Sequence, residues 1–271
     1  MAAGLTEQLV DTPLGKIQVL SGGTGAPLVY LHSATGETTN AALEDLAGDH
    51  AVSVPVFPGF GASEGIEHID GIEDAAFHLL DVLDALDLRA PDVVGLSLGG
   101  WLAAELATRS PERVGRLVLV SPVGLHIEGA PVGQLFGRSP AELARELYAD
   151  EDNPMVHMMD ALSEMVGDVT KMAALPMDLL LPLWQSMSAT AKIGWNPYLH
   201  NPKLAGRLRR VTAPTLVIAG AQDRFLPRAH PEAYAAGIRG ACLEVVEGAG
   251  HMIPFERPAE FAALVRAFLS A

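Results

Sequence analysis

Several short stretches of the chain are apolar at nearly every position, whereas a strand with one exposed face alternates apolar and polar residues. They lie at 28–31, 93–96, 117–120 and 216–218. Strands that are buried on both faces have this pattern, and they occur in parallel sheets covered by helices. The pattern therefore predicts a mostly parallel central sheet.

Between these stretches, apolar residues recur every three or four positions. One series is Ile72, Ala76, Leu79, Leu83 and Leu86, and a second is Phe261, Leu264, Val265 and Phe268. The second series follows Pro258, a residue suited to the first turn of a helix. Strands and helices therefore alternate along the chain, which predicts an α/β fold.

The alternation stops after the strand that ends near Ser121 and resumes at Thr215. The residues between them carry helical signals instead. Ser139 and Glu142 form a capping box, and Asn153 has the position of an N-cap before a second helix. We therefore expect a helical insertion at the carboxyl edge of the sheet.

The chain thus divides into an α/β core at 1–121 and 214–271 and a helical cap at 122–213. Seven of the nine methionines lie within the cap, between Met155 and Met187. Methionine fills irregular small cores, and it also lines deformable ligand sites. Both interpretations of these methionines stay open at this point.

Composition and charge narrow the range of partners. The 271 residues are 49% hydrophobic, with 18 basic and 33 acidic side chains and a net charge of −15. The mean hydropathy of +0.25 excludes overall disorder. The negative charge disfavours nucleic acid and anionic lipid. No apolar run is long enough for a membrane span, and residues 1–10 do not resemble a signal peptide. We therefore expect a cytoplasmic protein without membrane or nucleic-acid partners.

Other local features predict neither a cofactor nor a metal. The single cysteine, Cys242, has no partner for a disulfide, and we expect it to be buried in a strand. The glycine cluster at 22–25 precedes a strand and not a helix, which predicts a hairpin turn instead of a phosphate site. His126 and His157 lack the spacing of metal ligands.

The strongest signal for chemistry is Gly95-Leu96-Ser97-Leu98-Gly99, between a predicted strand and a predicted helix. A serine in this GxSxG context lies on a sharp turn that exposes its hydroxyl. The hydroxyl becomes a good nucleophile when a histidine takes its proton and an acid orients that histidine.

Both partners follow Ser97 in the sequence. Asp223 lies just after the predicted strand at 215–218, and His251 lies just after another at 243–246. Because the carboxyl ends of parallel strands meet at one edge of a sheet, we expect the three side chains to converge. They are the predicted catalytic residues.

With these motifs the chain resembles the α/β-hydrolase family over essentially its whole length. The GxSxG turn at Ser97, the Gly-x-x-Asp-x-x-x-Pro loop at Asp223 and the Gly-His loop at His251 occur in the family's order. The resemblance implies a mostly parallel sheet flanked by helices, with the cap inserted after the sixth strand. Residues 121–127 contain no acid, which favours Asp223 over the alternative acid position of some members.

The resemblance also implies an oxyanion hole and substrate contacts. Its N–H donors would be Leu98 and, from the loop at 31–36, Ala34. The family usually has His-Gly where this chain has His32-Ser33, and Asp where it has Val56. His32 is expected to hold its loop. Expected substrate contacts are Ser33, Trp101 and Met252, although an ordinary loop position for Ser33 and a core position for Trp101 remain open.

Single residues separate the branches of the family. Ser97 argues against haloalkane dehalogenases and epoxide hydrolases, which use an Asp nucleophile. Leu98 and Ala34 argue against cofactor-free haloperoxidases and perhydrolases, which usually have Met and Trp at those positions. Carbon–carbon bond hydrolases of aromatic degradation resemble this chain in size and cap position, but they usually carry Trp where it has Met252.

We therefore predict a serine hydrolase that cleaves an ester or lactone of a small to medium apolar molecule through an acyl-enzyme. Arg138, Arg145 and Lys171 are the basic residues between 121 and 187, so recognition of a polyanion is not expected. Hydrolysis of a carbon–carbon bond in a diketone-like substrate is the first alternative. A non-hydrolytic ligand-binding or lyase-type member of the fold is the second. A homodimer is compatible with the sequence.

Overall fold

The computed structural model describes residues 4–168, 171 and 177–271, with the backbone alone at 178–180, 182 and 183. Within these residues the chain forms one eight-stranded sheet. The strands are β1 Thr6–Thr12, β2 Gly15–Gly22, β3 Ala26–Leu31, β4 His50–Pro55, β5 Asp92–Leu96, β6 Leu117–Val120, β7 Thr215–Gly220 and β8 Cys242–Val246.

The spatial order of the strands is β1-β2-β4-β3-β5-β6-β7-β8. β2 runs antiparallel to both of its neighbours, β1 and β4. Every other neighbouring pair, from β4 to β8, is parallel. β6 and β7 are buried at every position. The mostly parallel sheet that the apolar stretches predict is therefore confirmed.

Helices connect the strands and cover the sheet. They are α1 Ala41–Leu46, α2 Ile72–Ala85, α3 Leu98–Arg109, α4 Pro140–Leu147, α5 Pro154–Val166, α6 Met177–Gly194, α7 Leu204–Arg207, α8 Ala229–Gly237, α9 Ile253–Glu256 and α10 Pro258–Leu269. α2 and α10 coincide with the two apolar series from which helices were predicted. None of the helices in the described part of the chain is long and apolar enough to cross a bilayer.

The described elements between β6 and β7 are all helical. The predicted capping box of α4 is present at Ser139 and Glu142, and Asn153 caps α5. The fully buried carboxylate of Glu105 on α3 joins this insertion to the core. It accepts hydrogen bonds from Asn201 Nδ2 at 2.7 Å and from Trp101 Nε1 at 3.2 Å.

Two expectations about the sheet are wrong. The glycines at 22–25 do not form a hairpin turn, because β2 pairs with β1 and β4 while β3 lies beyond β4. Gly23 and Gly25 have φ values of +76° and +124°, and a Cβ on either would collide with backbone carbonyl oxygens just before and at the start of β4. These glycines therefore allow a close crossing of backbone segments.

Cys242 lies in a strand, as expected, but it is exposed. It begins β8, which forms the edge of the sheet, and the first four residues of β8 alternate between exposed and half-buried positions. A residue at the rim of an edge strand faces solvent even when the strand's other face packs against the core.

Candidate active site

Ser97 lies on a sharp turn between β5 and α3. Its backbone has φ +54° and ψ −109°, an uncommon conformation for a residue with a Cβ. Its N–H donates to the Val120 carbonyl at 2.9 Å. The turn thus places the side chain at the carboxyl edge of the sheet, beside the end of β6.

The glycines around Ser97 allow this turn. A Cβ on Gly95 would overlap the backbone of Gly99, and a Cβ on Gly99 would overlap the Leu31 carbonyl at the end of β3. The strand-to-helix turn is therefore packed against two neighbouring backbone segments. The GxSxG spacing is a steric requirement of this packing.

The three predicted catalytic side chains meet at this edge. Ser97 Oγ lies 2.8 Å from His251 Nε2, and His251 Nδ1 lies 2.8 Å from Asp223 Oδ2. The side chains of His251 and Asp223 are 2% and 6% exposed. Bulk water therefore competes little for these hydrogen bonds.

Asp223 also fixes the tautomer of His251. Its Oδ1 accepts the N–H groups of Phe225 at 3.0 Å and Leu226 at 2.8 Å. Because Oδ2 acts as an acceptor, Nδ1 of His251 carries the hydrogen and Nε2 is left to accept the proton of Ser97 Oγ. The Phe225 ring packs against the imidazole with a centroid distance of 4.9 Å.

The two residues predicted to supply the oxyanion N–H groups lie at the same cavity as Ser97. Ala34 and Leu98 both line the cavity in front of Ser97. The hydrogen bonds of the described residues include no protein acceptor for either N–H group. Leu98 begins α3, so its N–H is one of the donors that a helix leaves free at its N-terminus.

The loop that carries Ala34 is held by Glu37, a residue that sequence analysis missed. Glu37 Oε1 accepts the Ser33 N–H at 2.7 Å, and Oε2 accepts the hydroxyls of Ser33 at 2.6 Å and Thr35 at 2.8 Å. Ser33 lies where the family usually has glycine. A polar residue there needs a partner, and an acid four positions later is the signal that identifies Glu37.

His32 also supports this loop. Its Nδ1–H donates to the Ser33 carbonyl at 2.7 Å, and its Nε2 accepts the Phe57 N–H at 3.0 Å. Complete burial lowers the pKa of His32 below its usual value, although the Glu37 charge opposes this effect. The neutral imidazole therefore bridges two loops, as the resemblance implies for this residue.

The cavity in front of Ser97 has a volume of about 10 Å³, which is about the space that one water molecule needs. Its walls are mainly apolar. They are formed by Ser33, Ala34, Thr35, Ser97, Leu98, Val123, Leu135, Leu147, Leu199, Phe225, His251 and Met252. Ser33 and Met252, two of the three predicted substrate contacts, are thus among the wall residues.

Trp101 is not among these wall residues. It is 1% exposed, packs against Gly124 and donates to Glu105. It is a core residue, because α3 directs its side chain towards the junction with the insertion. The structure does not support the expected substrate contact.

The described methionines of the insertion also do not line this cavity. Met158, Met165 and Met177 are exposed, whereas Met155, Met159 and Met187 are half-buried against the core; Met172 lies outside the described residues. The wall side chains from the insertion are leucines, at Leu135, Leu147 and Leu199, together with Val123. The described methionines of the insertion therefore do not form a ligand wall at Ser97.

Val56, the other departure from the family, is buried directly after β4 and does not line the cavity in front of Ser97.

A backbone segment of the insertion crosses the His251 loop. The Leu147 carbonyl accepts the His251 N–H at 2.7 Å. Glu256 joins the two segments, because it accepts the Ala149 N–H at 2.6 Å and the Gly250 N–H at 2.7 Å. Burial raises the pKa of Glu256, and these hydrogen bonds work against that shift. Like Glu37, Glu256 was not among the residues predicted for the site.

We expect Glu256→Ala to lower kcat by about tenfold, because the loop that carries His251 loses the hydrogen bond from the Gly250 N–H to Glu256. Two partly buried N–H groups would also lose their acceptor, which should lower the free energy of unfolding by about 2 kcal/mol. Steady-state kinetics and urea unfolding measure both effects. Glu260→Ala, at an exposed position of α10, is the matched control. Equal kinetics for the two variants would show that Glu256 does not position His251.

No group of three or more His, Cys, Asp or Glu side chains in the described ranges is arranged to hold a metal ion. The polar groups at Ser97 are a hydroxyl, an imidazole, a carboxylate and two N–H donors. This set can activate a nucleophile and stabilise a developing negative charge on oxygen.

Comparison with known proteins identifies the family. The model of the alpha/beta hydrolase family matches residues 20–264. The chain belongs to the α/β-hydrolase family. The expected fold is thereby confirmed, and the sheet order described above is the form that it takes in this member.

The relatives of this α/β hydrolase include a hydrolase and an acetyltransferase component. It is 32% identical to a 2-hydroxymuconate semialdehyde hydrolase of Pseudomonas sp. strain CF600, over 100% of this chain and 92% of the relative. It is 30% identical to the acetyltransferase component of an acetoin cleaving system of Cupriavidus necator, over 92% of this chain and 64% of that protein.

A solved structure agrees with this assignment. The 2-hydroxy-6-oxo-6-phenylhexa-2,4-dienoate hydrolase of Rhodococcus sp. strain RHA1 superimposes with a TM-score of 0.77 at 23% identity. The superposition covers 99% of this chain and 100% of that one. At this identity the likeness concerns the fold.

Proposed function

We propose that this α/β hydrolase uses Ser97 as a nucleophile, with His251 as general base and acid and Asp223 as the residue that orients the imidazole. The observation that supports the proposal is the buried chain of two 2.8 Å hydrogen bonds from Ser97 through His251 to Asp223. It has the geometry that nucleophilic catalysis by a serine requires.

In the proposed reaction, Ser97 Oγ attacks a substrate carbonyl carbon while His251 Nε2 takes its proton. The N–H groups of Ala34 and Leu98 stabilise the oxyanion. His251 then protonates the leaving group, and an acyl-enzyme remains. Water, deprotonated by His251, attacks the acyl carbon and releases the acid and Ser97.

We propose an ester or lactone with a small to medium apolar acyl group as the substrate. The walls are mainly apolar, and none of the wall residues is Lys or Arg. The helical insertion acts as a cap over Ser97 in this proposal. A cavity of about 10 Å³ cannot hold the substrate, so its walls must separate on binding.

Carbon–carbon bond hydrolysis is the second candidate, because relatives that are 30% and 32% identical carry names of this type. One of them is a 2-hydroxy-6-oxo-2,4-heptadienoate hydrolase, whose named substrate contains a carboxylate. Among the wall residues that the structure describes there is no Lys or Arg, which favours the ester over such a substrate.

Intact mass after incubation with a fluorophosphonate tests the nucleophile. We expect one adduct on the wild type and none on Ser97→Ala, because the probe reacts with activated serines. An adduct on both proteins would place the nucleophile elsewhere. A folded wild type that remains unlabelled would contradict an accessible, activated Ser97 and would favour a non-hydrolytic function.

A side-by-side turnover measurement distinguishes the two hydrolytic candidates. A phenyl ester of a short alkanoic acid and a vinylogous 1,5-diketone with a carboxylate are offered to the same preparation. We expect the ester to have the higher kcat/KM. A higher kcat/KM for the diketone, abolished in Ser97→Ala, would establish carbon–carbon hydrolysis instead.

A further inference from the structure

The loop that carries Ala34 is hydrogen-bonded to a negatively charged side chain, Glu37. The Glu37 carboxylate is hydrogen-bonded to two residues of the cavity wall, Ser33 and Thr35. Its partners are one backbone N–H and three hydroxyls, the third being Tyr30 Oη at 3.5 Å, and all of them are neutral groups. The ion pairs of the described residues do not include Glu37. Its charge is therefore solvated by dipoles and not cancelled by a cation.

The surroundings of Glu37 strengthen the Coulomb interaction between its charge and a charged group in the cavity. Glu37 is half-buried, and of the loop residues in front of it Ser33 is 2% exposed and Ala34 is 7% exposed, whereas Thr35 is exposed, so its charge is partly shielded from solvent. The walls of the cavity also include the apolar side chains of Leu135 and Leu199. Coulomb interactions in such a setting are several times stronger than in bulk water.

We propose that Glu37 is a specificity-determining residue that selects neutral acyl groups against acyl groups with a carboxylate. This inference rests on the proposed function at Ser97. A second carboxylate in the cavity would lie close to Glu37 without a wall cation to offset the repulsion. The hydrogen bonds of Glu37 also position the loop that carries the Ala34 N–H.

The two effects of Glu37 differ in what they change. A mispositioned Ala34 N–H weakens stabilisation of the oxyanion for every ester, whatever its acyl group. The charge acts on anionic acyl groups alone. The ratio of kcat/KM between a neutral and an anionic ester therefore isolates the charge effect, because a general loss of activity cancels in the ratio.

The experiment uses two phenyl esters of glutaric acid that differ at the far end of the acyl chain. One ends in a methyl ester and the other in a free carboxylate, which is ionised at pH 7.5. We expect the wild type to favour the neutral ester by about tenfold or more, the size of effect expected for an uncompensated like charge. Glu37→Gln should narrow this ratio to about threefold or less.

Two further variants complete the test. Glu112→Gln removes the same charge from an exposed position just beyond the far end of α3, and its ratio should equal that of the wild type. Thr35→Lys adds a cation at an exposed wall position, so it also tests the charge effect if Glu37→Gln fails to fold. It should narrow the ratio as well.

An unchanged ratio in Glu37→Gln, or in Thr35→Lys where Glu37→Gln does not fold, would overturn the inference, even if the variants are slower on both esters. A wild type that hydrolyses the two esters equally well would also overturn it. Failure of the proposed function has a different signature. In that case hydrolysis of the neutral ester would persist in Ser97→Ala.

Discussion

Ser97→Ala should lower kcat for ester hydrolysis by about 10⁴-fold or more, because the variant lacks the atom that forms the acyl-enzyme. Residual turnover would come from the Ala34 and Leu98 N–H groups and from substrate binding. The loss of activity should therefore appear in kcat, while KM stays within a few-fold of the wild-type value. Stopped assays with a phenyl ester at high enzyme concentration measure rates this slow.

Ser121→Ala is a matched control for this variant. Ser121 follows β6 as Ser97 follows β5, and it is also buried with a positive φ, +42°. Its hydroxyl has no hydrogen-bond partner among the described residues, so its loss should leave kcat within about threefold. A Ser97→Ala enzyme that keeps a tenth of the wild-type kcat would exclude the acyl-enzyme mechanism.

Gly99→Ala should have the largest effect on folding. The added Cβ would overlap the Leu31 carbonyl and crowd that of His32, and these backbone atoms are fixed by the sheet and the oxyanion loop. We expect a loss of about 4 kcal/mol in unfolding free energy or failure to fold, since overpacking against backbone cannot be relieved by a side-chain rotation. Urea unfolding followed by circular dichroism measures this loss.

Gly206→Ala is the control for this second variant. Gly206 lies inside α7, and a Cβ there would have nothing within 4 Å. Alanine should stabilise the protein by about 0.5–1 kcal/mol at such a position, because it favours the helical backbone. If Gly99→Ala were as stable as Gly206→Ala, the steric account of the GxSxG turn would be wrong.

The sequence predicted those parts of the molecule that depend on local pattern. Buried strands are apolar at each position, and helix starts carry capping residues, so both were located from residues close together in the chain. The convergence of Ser97, Asp223 and His251 followed from one further rule, that parallel strands end at the same edge. The structure places Ser97 and Asp223 each within hydrogen-bonding distance of His251.

The errors concern contacts between segments that are distant in the chain. Glycines at 22–25 have the composition of a hairpin turn, but β4 lies between β2 and β3, and only tertiary structure reveals that order. Cys242 is apolar and in a strand, yet its strand is an edge. Glu256 and Glu37 have no sequence signal as strong as GxSxG, because their importance arises from the backbone N–H groups that they meet.

The hydrogen bond between the Leu147 carbonyl and the His251 N–H has a consequence for redesign of the substrate range. A change in length or helix register near residue 147 would shift the base together with the wall. Leu135 is a better position for such a redesign, because its backbone N–H donates a hydrogen bond to Tyr198 Oη at 2.6 Å and not to the loop of His251. A shorter side chain at position 135 leaves more space for an acyl group. The hydrogen bonds that position His251 beside Ser97 remain unchanged.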